Sequence, residues 1–333
     1  MRSRALAETV VTVRLRLYGL LLILGTAGLC HLLLTDLQTV LSAGLIPAAA
    51  EPRPALSPLT QGPSMDGFGA WSPEGEQLAF MRDGQILLTD PTGRKVRVLT
   101  SELEQWDATP AWRPDGRAIA FARLSMQGKQ ARVMLLGLGE GRPKELVREP
   151  GAIGYLAWSP DGRWLYYSTK EQLLRVDPAT GKRERIFTAP RGWELLSGGL
   201  AVTRDGRALI FGGGPRAEGS VRYDLWRLEL SGGNPLKRLT ERGGIMPALD
   251  PTGRLVAFRN PRQETGIYLL NLATRQSERL VADEPKAMYF HPGFSPDGRR
   301  LVLSRLLLAP SGGRGGFTSN LYVHTLEGSG GDR

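Results

Sequence analysis

A ten-residue phrase recurs six times in this chain of 333 residues, and it constrains the fold more than any other feature. The six copies are WSPEGEQLAF from Trp71, WRPDGRAIAF from Trp112, WSPDGRWLYY from Trp158, VTRDGRALIF from Val202, LDPTGRLVAF from Leu249 and FSPDGRRLVL from Phe294. Successive copies are 41, 46, 44, 47 and 45 residues apart, counted between their common glycines. A period of this length indicates that one supersecondary unit is repeated in an array.

Each copy has the sequence pattern of a β-hairpin. Its Asp-Gly pair, or a close variant, stands between two apolar runs, and we expect the type I′ turn that is typical of this dipeptide. After the glycine, large apolar side chains recur at every second position, as Leu78 and Phe80 do, which is the period of a β-strand. A third apolar run follows in every unit and a fourth in the first five. Six repeats of four antiparallel strands predict an all-β fold, a six-bladed β-propeller.

The sixth unit lacks its fourth strand, because the chain continues into a glycine-rich tail after Leu326. The segment 56–60 precedes the first copy of the phrase and ends in the same Leu-Thr pair as Leu99-Thr100 and Leu239-Thr240. We therefore expect this segment to pair as the outer strand of the last blade. Such pairing would close the ring and cover an open sheet edge.

The first fifty residues differ from the rest of the chain. Residues 17–34 contain no Asp, Glu, Lys or Arg, and four arginines precede them. This is close to the length of a bilayer span, and basic residues on its N-terminal side favour a cytoplasmic N-terminus. The sequence predicts a cytoplasmic n-region and signal-anchor or transmembrane helix over 1–36, a linker over 37–54, a propeller over 55–327 and a flexible tail over 328–333. The propeller would then face the periplasm or extracytoplasmic side, or be secreted or periplasmic if cleavage occurs near Ala50.

The phrase xSPDGxxxAF, followed by an aliphatic strand and a terminal run such as Arg238-Leu239-Thr240, resembles the TolB-type β-propeller repeat. The resemblance covers residues 55–327 and leaves out the mixed α/β domain that precedes the propeller in full-length TolB. It implies a TolB-like six-bladed β-propeller and a Tol–Pal-like envelope or transport function.

Connections of variable length gather on one face of the predicted propeller, which we call the loop face. They link the second strand to the third, or one blade to the next, and the long ones cover 125–130, 212–222, 261–265 and 309–319. Long loops on a rigid scaffold are the usual place for binding. Trp106 and Trp193 lie in inter-blade connections on this face, where they could contact a partner or pack locally under a loop.

The residues that enter the innermost strands should line the mouth of the central channel on the loop face. Asp66, Asp107 and Tyr289 hold this position in the first, second and sixth blades, and His291 lies near it in the sixth. These side chains could hold a cation or the basic group of a peptide. Alternatively, the two carboxylates accept hydrogen bonds from backbone N–H groups at the strand starts.

The opposite face, which we call the turn face, carries a repeated positive charge. Five of the six copies have an arginine directly after the turn glycine: Arg117, Arg163, Arg207, Arg254 and Arg299. Such a ring could attract anionic lipid headgroups or glycans. Each long side chain could equally cover only its own turn.

Recognisable catalytic motifs are missing from the sequence. It has no G-x-S-x-G nucleophile elbow, a single cysteine (Cys30) and three histidines. We expect no metal site, no cofactor and, despite a net charge of +10, no nucleic-acid partner for an exported domain. The leading hypothesis is a membrane-tethered, non-enzymatic module that binds an envelope protein or peptide. The alternative is a carbohydrate- or peptide-active propeller enzyme that uses the channel carboxylates.

Overall fold

The computed structural model describes residues 56–102, 104–125, 130–195, 199–217, 220–233, 235–262, 264–308 and 317–326. These residues form strands that are ordered in six antiparallel sheets. The predicted signal-anchor helix, the linker and the tail lie outside the described residues. Within the described ranges no helix has the length and apolarity needed to span a bilayer.

The first three sheets follow one another along the chain, and each runs from an innermost to an outermost strand. Blade 1 consists of β2 (Asp66–Trp71), β3 (Leu78–Arg82), β4 (Gln85–Thr89) and β5 (Arg97–Val98). Blade 2 consists of β6 (Gln105–Trp112), β7 (Ala118–Ser125), β8 (Gln130–Gly137) and β9 (Lys144–Pro150). Blade 3 consists of β10 (Leu156–Trp158), β11 (Leu165–Ser168), β12 (Gln172–Val176) and β13 (Arg183–Thr188).

The other three sheets repeat this plan with two variations. Blade 4 consists of β15 (Leu200–Val202), β16 (Ala208–Ala217), β18 (Asp224–Glu229) and β19 (Leu236–Arg238), and β14 (Trp193–Glu194) and β17 (Ser220–Val221) pair with the far end of β16. Blade 5 consists of β20 (Ile245–Leu249), β21 (Leu255–Asn260), β22 (Gly266–Asn271) and β23 (Ser277–Ala282). Blade 6 consists of β24 (Ala287–Phe294), β25 (Arg300–Leu308), β26 (Phe317–Thr325) and β1 (Leu56–Pro58).

The six blades form a closed ring. Their innermost strands contact one another in the order β2, β6, β10, β15, β20 and β24, and β24 in turn contacts β2. The aromatic or leucine that ends each phrase is at most 2% exposed: Phe80, Phe121, Tyr167, Phe211, Phe258 and Leu303. The repeated phrase therefore supplies the packed layer between neighbouring blades, and the six-bladed fold expected from the sequence is confirmed.

The N-terminal strand β1 is the outermost strand of the last blade. It pairs antiparallel to β26, with Leu56 opposite His324 and Pro58 opposite Tyr322. Directly after it, the backbone N–H of Leu59 donates to the Leu321 oxygen at 2.8 Å. Strands from both ends of the domain thus share one sheet, in the position that the Leu-Thr pattern of segment 56–60 predicts.

The turn in each phrase is not the type I′ turn that we expected. The turn glycine has a φ between 67° and 77° in all six copies, while the residue before it never has a positive φ. In the first copy the N–H of Gly75 donates to the Ser72 oxygen at 2.9 Å, which makes Pro73 and Glu74 the central pair. Proline at the first central position fixes a negative φ, so Ser-Pro-Asp-Gly has the pattern of a type I turn followed by a left-handed glycine.

The tryptophans that open three of the phrases join neighbouring blades. Trp112 donates its Nε1–H to the Ala70 oxygen of β2 at 3.0 Å, and Trp158 donates to the Ala111 oxygen of β6 at 3.1 Å. These two tryptophans therefore bond to the innermost strand of the preceding blade, whereas Trp71 packs with Val302 and Leu321 of blade 6. Blade packing accounts for these residues without a ligand.

Residues 212–222, which we expected to form a loop, are largely a strand extension. β16 continues through Ala217, and β17 folds back on it with Val221 opposite Arg216. The three glycines Gly212, Gly213 and Gly214 lie within β16. In the structure they allow close approach, since a Cβ at Gly214 would lie 2.0 Å from the Arg222 backbone oxygen.

Candidate functional site at the channel mouth and neck

The innermost strands share an irregularity where they line the central channel. In blades 1, 2, 5 and 6 the register between the first two strands shifts by one residue, as in a β-bulge. The residues three positions before the six phrases are Phe68, Thr109, Tyr155, Gly199, Met246 and His291. Their φ is positive in every blade except the third, with 56° at Phe68 and 50° at His291. We call this ring of six residues the neck.

Three neck side chains meet at the channel axis. The ring centroids of Phe68 and His291 are 3.9 Å apart, and those of Tyr155 and His291 are 6.2 Å apart. Blades 3 and 6 lie on opposite sides of a six-bladed ring, so Tyr155 and His291 can approach this closely only near its centre. Aromatic side chains therefore constrict the channel at the neck.

The neck contains two polar atoms that have no hydrogen-bond partner among the described residues. His291 is 5% exposed, and its Nδ1 lies 3.1 Å from the Ser304 hydroxyl. Burial, with a smaller effect from the nearby Arg259, lowers the pKa of His291 to about 3, while burial raises the pKa of Tyr155 well above its usual value. Both side chains are thus uncharged at neutral pH. Within the described part of the chain, neither His291 Nε2 nor the Tyr155 hydroxyl has a hydrogen-bond partner, so both are available to a molecule that enters the neck.

His291 should make folding depend on pH. Its pKa is about 3 in the folded protein and near 6.5 when unfolded, so the unfolded state binds the extra proton and stability falls as the pH drops through that window. Between pH 7 and pH 5 the loss due to this residue is about 2 kcal/mol. Urea denaturation of wild type and His291→Gln at both pH values measures the difference. An equal pH dependence of the two proteins would contradict this prediction.

The first predicted mouth carboxylate, Asp66, is bound by an arginine of its own blade. It begins β2, its side chain is 0% exposed, and Nε and Nη2 of Arg82 each donate to one of its oxygens at 2.7 Å. The Ser64 hydroxyl also donates to it at 3.1 Å. Its main partner is therefore a guanidinium group, and not the external cation or the backbone N–H groups expected from the sequence.

The second mouth carboxylate, Asp107, has the same arrangement. Nε and Nη2 of Arg123 donate to its oxygens at 2.7 and 2.8 Å, and Nη1 of Arg123 lies 2.6 Å from Glu102. Burial raises the pKa of Asp107, although the hydrogen bonds from Arg123 oppose this effect. For Arg123, burial acts to lower the pKa, but the bonds to Asp107 and Glu102 outweigh it and raise the pKa. The chain itself thus supplies the cations at the mouth.

Tyr289, also predicted for the mouth, belongs to a similar cluster. It is 1% exposed, and its hydroxyl donates to Glu284 at 2.6 Å and accepts from Nε of Arg305 at 3.2 Å. Burial raises the pKa of Tyr289, and the bond to Glu284 adds to this effect. The structure therefore brings Asp66, Asp107 and Tyr289 to equivalent strand positions, each with an arginine opposite.

The two tryptophans expected on the loop face have different surroundings. Trp106 belongs to β6 and is 2% exposed, and its ring covers Gly84, where a Cβ would lie 2.7 Å from the ring. The assignment of Trp106 to an inter-blade loop was wrong, because β6 begins one residue earlier. Trp193 lies in β14, half-buried, with its ring centroid 4.8 Å from that of Trp226.

The arginines of the turn face are exposed in all five blades. Their backbone N–H groups donate to the turn carboxylates, as Arg117 does to Asp115 at 3.0 Å, while their guanidinium groups extend from the turn. Arg163 places its guanidinium 5.6 Å from the Trp164 ring centroid. Attraction of an anionic surface to this ring stays a prediction.

Sequence reasoning missed the arginines of the mouth and most of the neck. Arg82, Arg123 and Arg305 each lie two positions after the residue that ends the phrase. The alternating pattern of the second strand, continued by one more step, would have identified them. The neck residues share no side-chain type, so only the bulge identifies them as a set. No group of three or more His, Cys, Asp or Glu that could hold a metal ion occurs among the residues that the structure describes.

Several known structures have a similar fold. TolB from Acinetobacter baumannii is 20% identical with a TM-score of 0.55, and the match covers 79% of this chain and 64% of that one. An oligogalacturonate lyase in complex with manganese is 17% identical with a TM-score of 0.57, and the match covers 81% of this chain and 80% of the lyase.

Comparison of sequences finds relatives that match only part of this chain. No protein-family model matches the chain. The uncharacterized peptidase YuxL of Bacillus subtilis is 26% identical over 162 residues, which are 37% of this chain and 24% of the relative. The chain therefore spans about a quarter of the length of that relative. Together, the blades described above and the structural similarities show that this chain has a TolB-like six-bladed propeller fold.

Proposed function

We propose that the chain is a non-enzymatic binding module of the cell envelope, tethered to the membrane by residues 1–36, whose loop face binds a protein or peptide. One observation carries the proposal: the carboxylates at the channel mouth are each held by a bidentate arginine of the same blade. These pairs fix the loop-face ends of the first two innermost strands, so the channel mouth is preorganised before a partner arrives. A preorganised surface loses less conformational entropy on binding.

The loop face also offers apolar contact area. Leu124, Met288 and Phe317 lie at the ends of β7, β24 and β26 on this face, and each is half-buried against the core cluster that contains Phe68. Partly exposed apolar side chains that surround a rigid mouth are suited to anchoring a partner. The similarity to TolB and the apolar segment 17–34 support a location in the envelope.

This proposal is tested by proximity labelling from the anchored full-length protein in its own cells. Met288→Asp with Phe317→Asp should remove the labelled envelope proteins, because two charges replace the apolar contacts. Val98→Asp is the matched control, since Val98 is 52% exposed on β5, on the outer wall of the ring. Labelling that is equal in the double variant and the control would contradict binding through the loop face.

The alternative is a carbohydrate- or peptide-active enzyme. It is favoured by the His291 Nε2 atom and the Tyr155 hydroxyl, which have no partner in the described part of the chain, and by the raised pKa of Asp107. Turnover of a glycan or peptide library by the wild-type protein, lost in Tyr155→Phe and His291→Gln but kept in Val98→Asp, would establish it. Labelled partners without turnover support the binding module instead.

A further inference from the structure

A groove on the outer wall separates blade 4 from blade 5. Its volume is about 580 Å³, within the range of roughly 300–1,000 Å³ that small-molecule sites occupy. Strand β19 and residues 239–243 form one side, and blade 5 forms the other. Phe258 and Leu270, which are 2% and 1% exposed, supply buried apolar surface at its base. The groove is separate from the channel mouth and the neck.

Positive charge dominates the lining of this groove. Lys237, Arg238, Arg242 and Arg275 line it, and Glu241 is the one acidic residue among the described residues of the lining. Arg238 is neutralised by Asp224, since its Nη2 lies 2.6 Å from a carboxylate oxygen. The other three cations form no salt bridge within the described ranges. The groove therefore has more positive charge than the protein itself compensates.

The excess of positive charge extends beneath the groove. Asp224 is 3% exposed and lies 3.8 Å from Arg262 as well as next to Arg238. Burial lowers the pKa of Arg262, and the neighbouring Arg222 and Arg238 add to this effect, while Asp224 opposes it. Asp224 also accepts the Gly243 N–H at 2.9 Å, which fixes the loop on the blade 4 side. One buried carboxylate thus organises several guanidinium groups around a preformed wall.

Arg275 has an unfavourable backbone conformation at the edge of the groove. Its φ is 64°, and its N–H donates to the Asn271 oxygen at 2.8 Å. Blade 3 has the same turn, with the Gly181 N–H donating to the Asp177 oxygen at 2.8 Å and a φ of 74°. Glycine adopts this conformation without strain, whereas an arginine does not. A strained residue is a reason to look for a function of its side chain, and Nη1 of Arg275 lies 3.4 Å from the Arg238 backbone oxygen across the groove.

We propose that the groove between blades 4 and 5 binds a small multivalent oxyanion, a molecule with two or more carboxylate or phosphate groups. The guanidinium groups of Arg242 and Arg275 would bind its oxygens in charge-assisted, forked hydrogen bonds, with Lys237 as a third point charge. The buried side chain of Asn260 also lines the groove, and its oxygen already accepts the Arg262 N–H at 3.0 Å.

Calorimetric titration of the full-length protein with tripolyphosphate and with citrate tests the proposal and distinguishes phosphate from carboxylate ligands. Saturable binding of at least one probe is expected. Loss of one charge-assisted contact should weaken it roughly tenfold in Arg275→Gly and in Arg242→Gln. Arg275→Gly should keep or raise the melting temperature, because it introduces the glycine of blade 3. A purely structural role for Arg275 predicts the opposite, a lower melting temperature.

Arg97→Gln is the matched control, because it removes one exposed charge from β5 of blade 1 and leaves the groove intact. Its affinity for the probe should equal that of the wild type. The proposal is overturned if neither probe binds saturably, or if the control weakens binding as much as the two groove variants, since either result would leave only non-specific attraction to a basic protein.

Discussion

Deletion of residues 51–62 is expected to lower the melting temperature by on the order of 10 °C. The deletion removes β1 and the Leu59 side chain, which is 7% exposed and packs with Trp71 and Leu321. Loss of such a buried leucine alone costs about 2–5 kcal/mol. The hydrogen bonds of Leu59 and Thr60 to Leu321 are lost as well. Differential scanning calorimetry measures the change.

The deletion also leaves β26 as an unpaired edge next to blade 1. Removal of residues 51–55 alone is the control, because β1 begins at Leu56, and this shorter deletion should leave the melting temperature unchanged. If both deletions behave like the wild type, β1 does not hold the ring closed. An increase in aggregation with only the longer deletion would follow from the exposed edge.

Asp107→Ala is expected to destabilise the protein by about 3–5 kcal/mol, because it leaves the buried guanidinium of Arg123 without its main partner. The Arg123 side chain is 2% exposed, and its remaining partner Glu102 is 55% exposed. Asp66→Ala should cost less, since the Arg82 side chain is 28% exposed and water can reach it. Urea denaturation of the two variants at neutral pH measures the difference.

The double variant Asp107→Leu with Arg123→Met separates the ion pair from the packing. Apolar replacements of a buried pair are often neutral, so most of the lost stability should return. Surface substitutions usually change the free energy of unfolding by less than about 0.5 kcal/mol. A change of that size in Asp107→Ala would show that Arg123 does not depend on this carboxylate.

The fold was predictable from the sequence because its determinants are local and repeated six times. Apolar residues at alternating positions, such as Leu165 and Tyr167, give each strand its buried face, and the shared period sets the number of blades. The turn type was not predictable from Asp-Gly alone. Five of the six copies have a proline two residues before the glycine, as Pro160 stands before Gly162, and its fixed negative φ excludes a type I′ turn. The fourth copy has Arg204 at this position and still forms the same turn.

The candidate site was less predictable, because its geometry depends on contacts between distant segments. Asp66, Asp107 and Tyr289 were identified as a set from their position relative to the phrase, but their arginine partners were not. The neck could not be recognised, since Phe68 and Tyr155 meet only when blades 1 and 3 close around one axis. Trp106 was assigned to a loop because the start of a strand is uncertain by about one residue in sequence, and β6 begins directly before it.

The bulge in the innermost strands determines the ionic character of the channel mouth. Trp71 stands opposite Leu78, and beyond the bulge Asp66 stands opposite Arg82. If the first register continued past this point with every residue kept, Asp83 would stand opposite Asp66. Two facing carboxylates raise each other's pKa and attract cations. Loss of the bulge with the sequence unchanged would therefore turn a charge-neutral mouth into an acidic one, although every side chain around it stays the same. In this propeller the register of the strands, as well as the identity of the residues, determines the charge at the channel mouth.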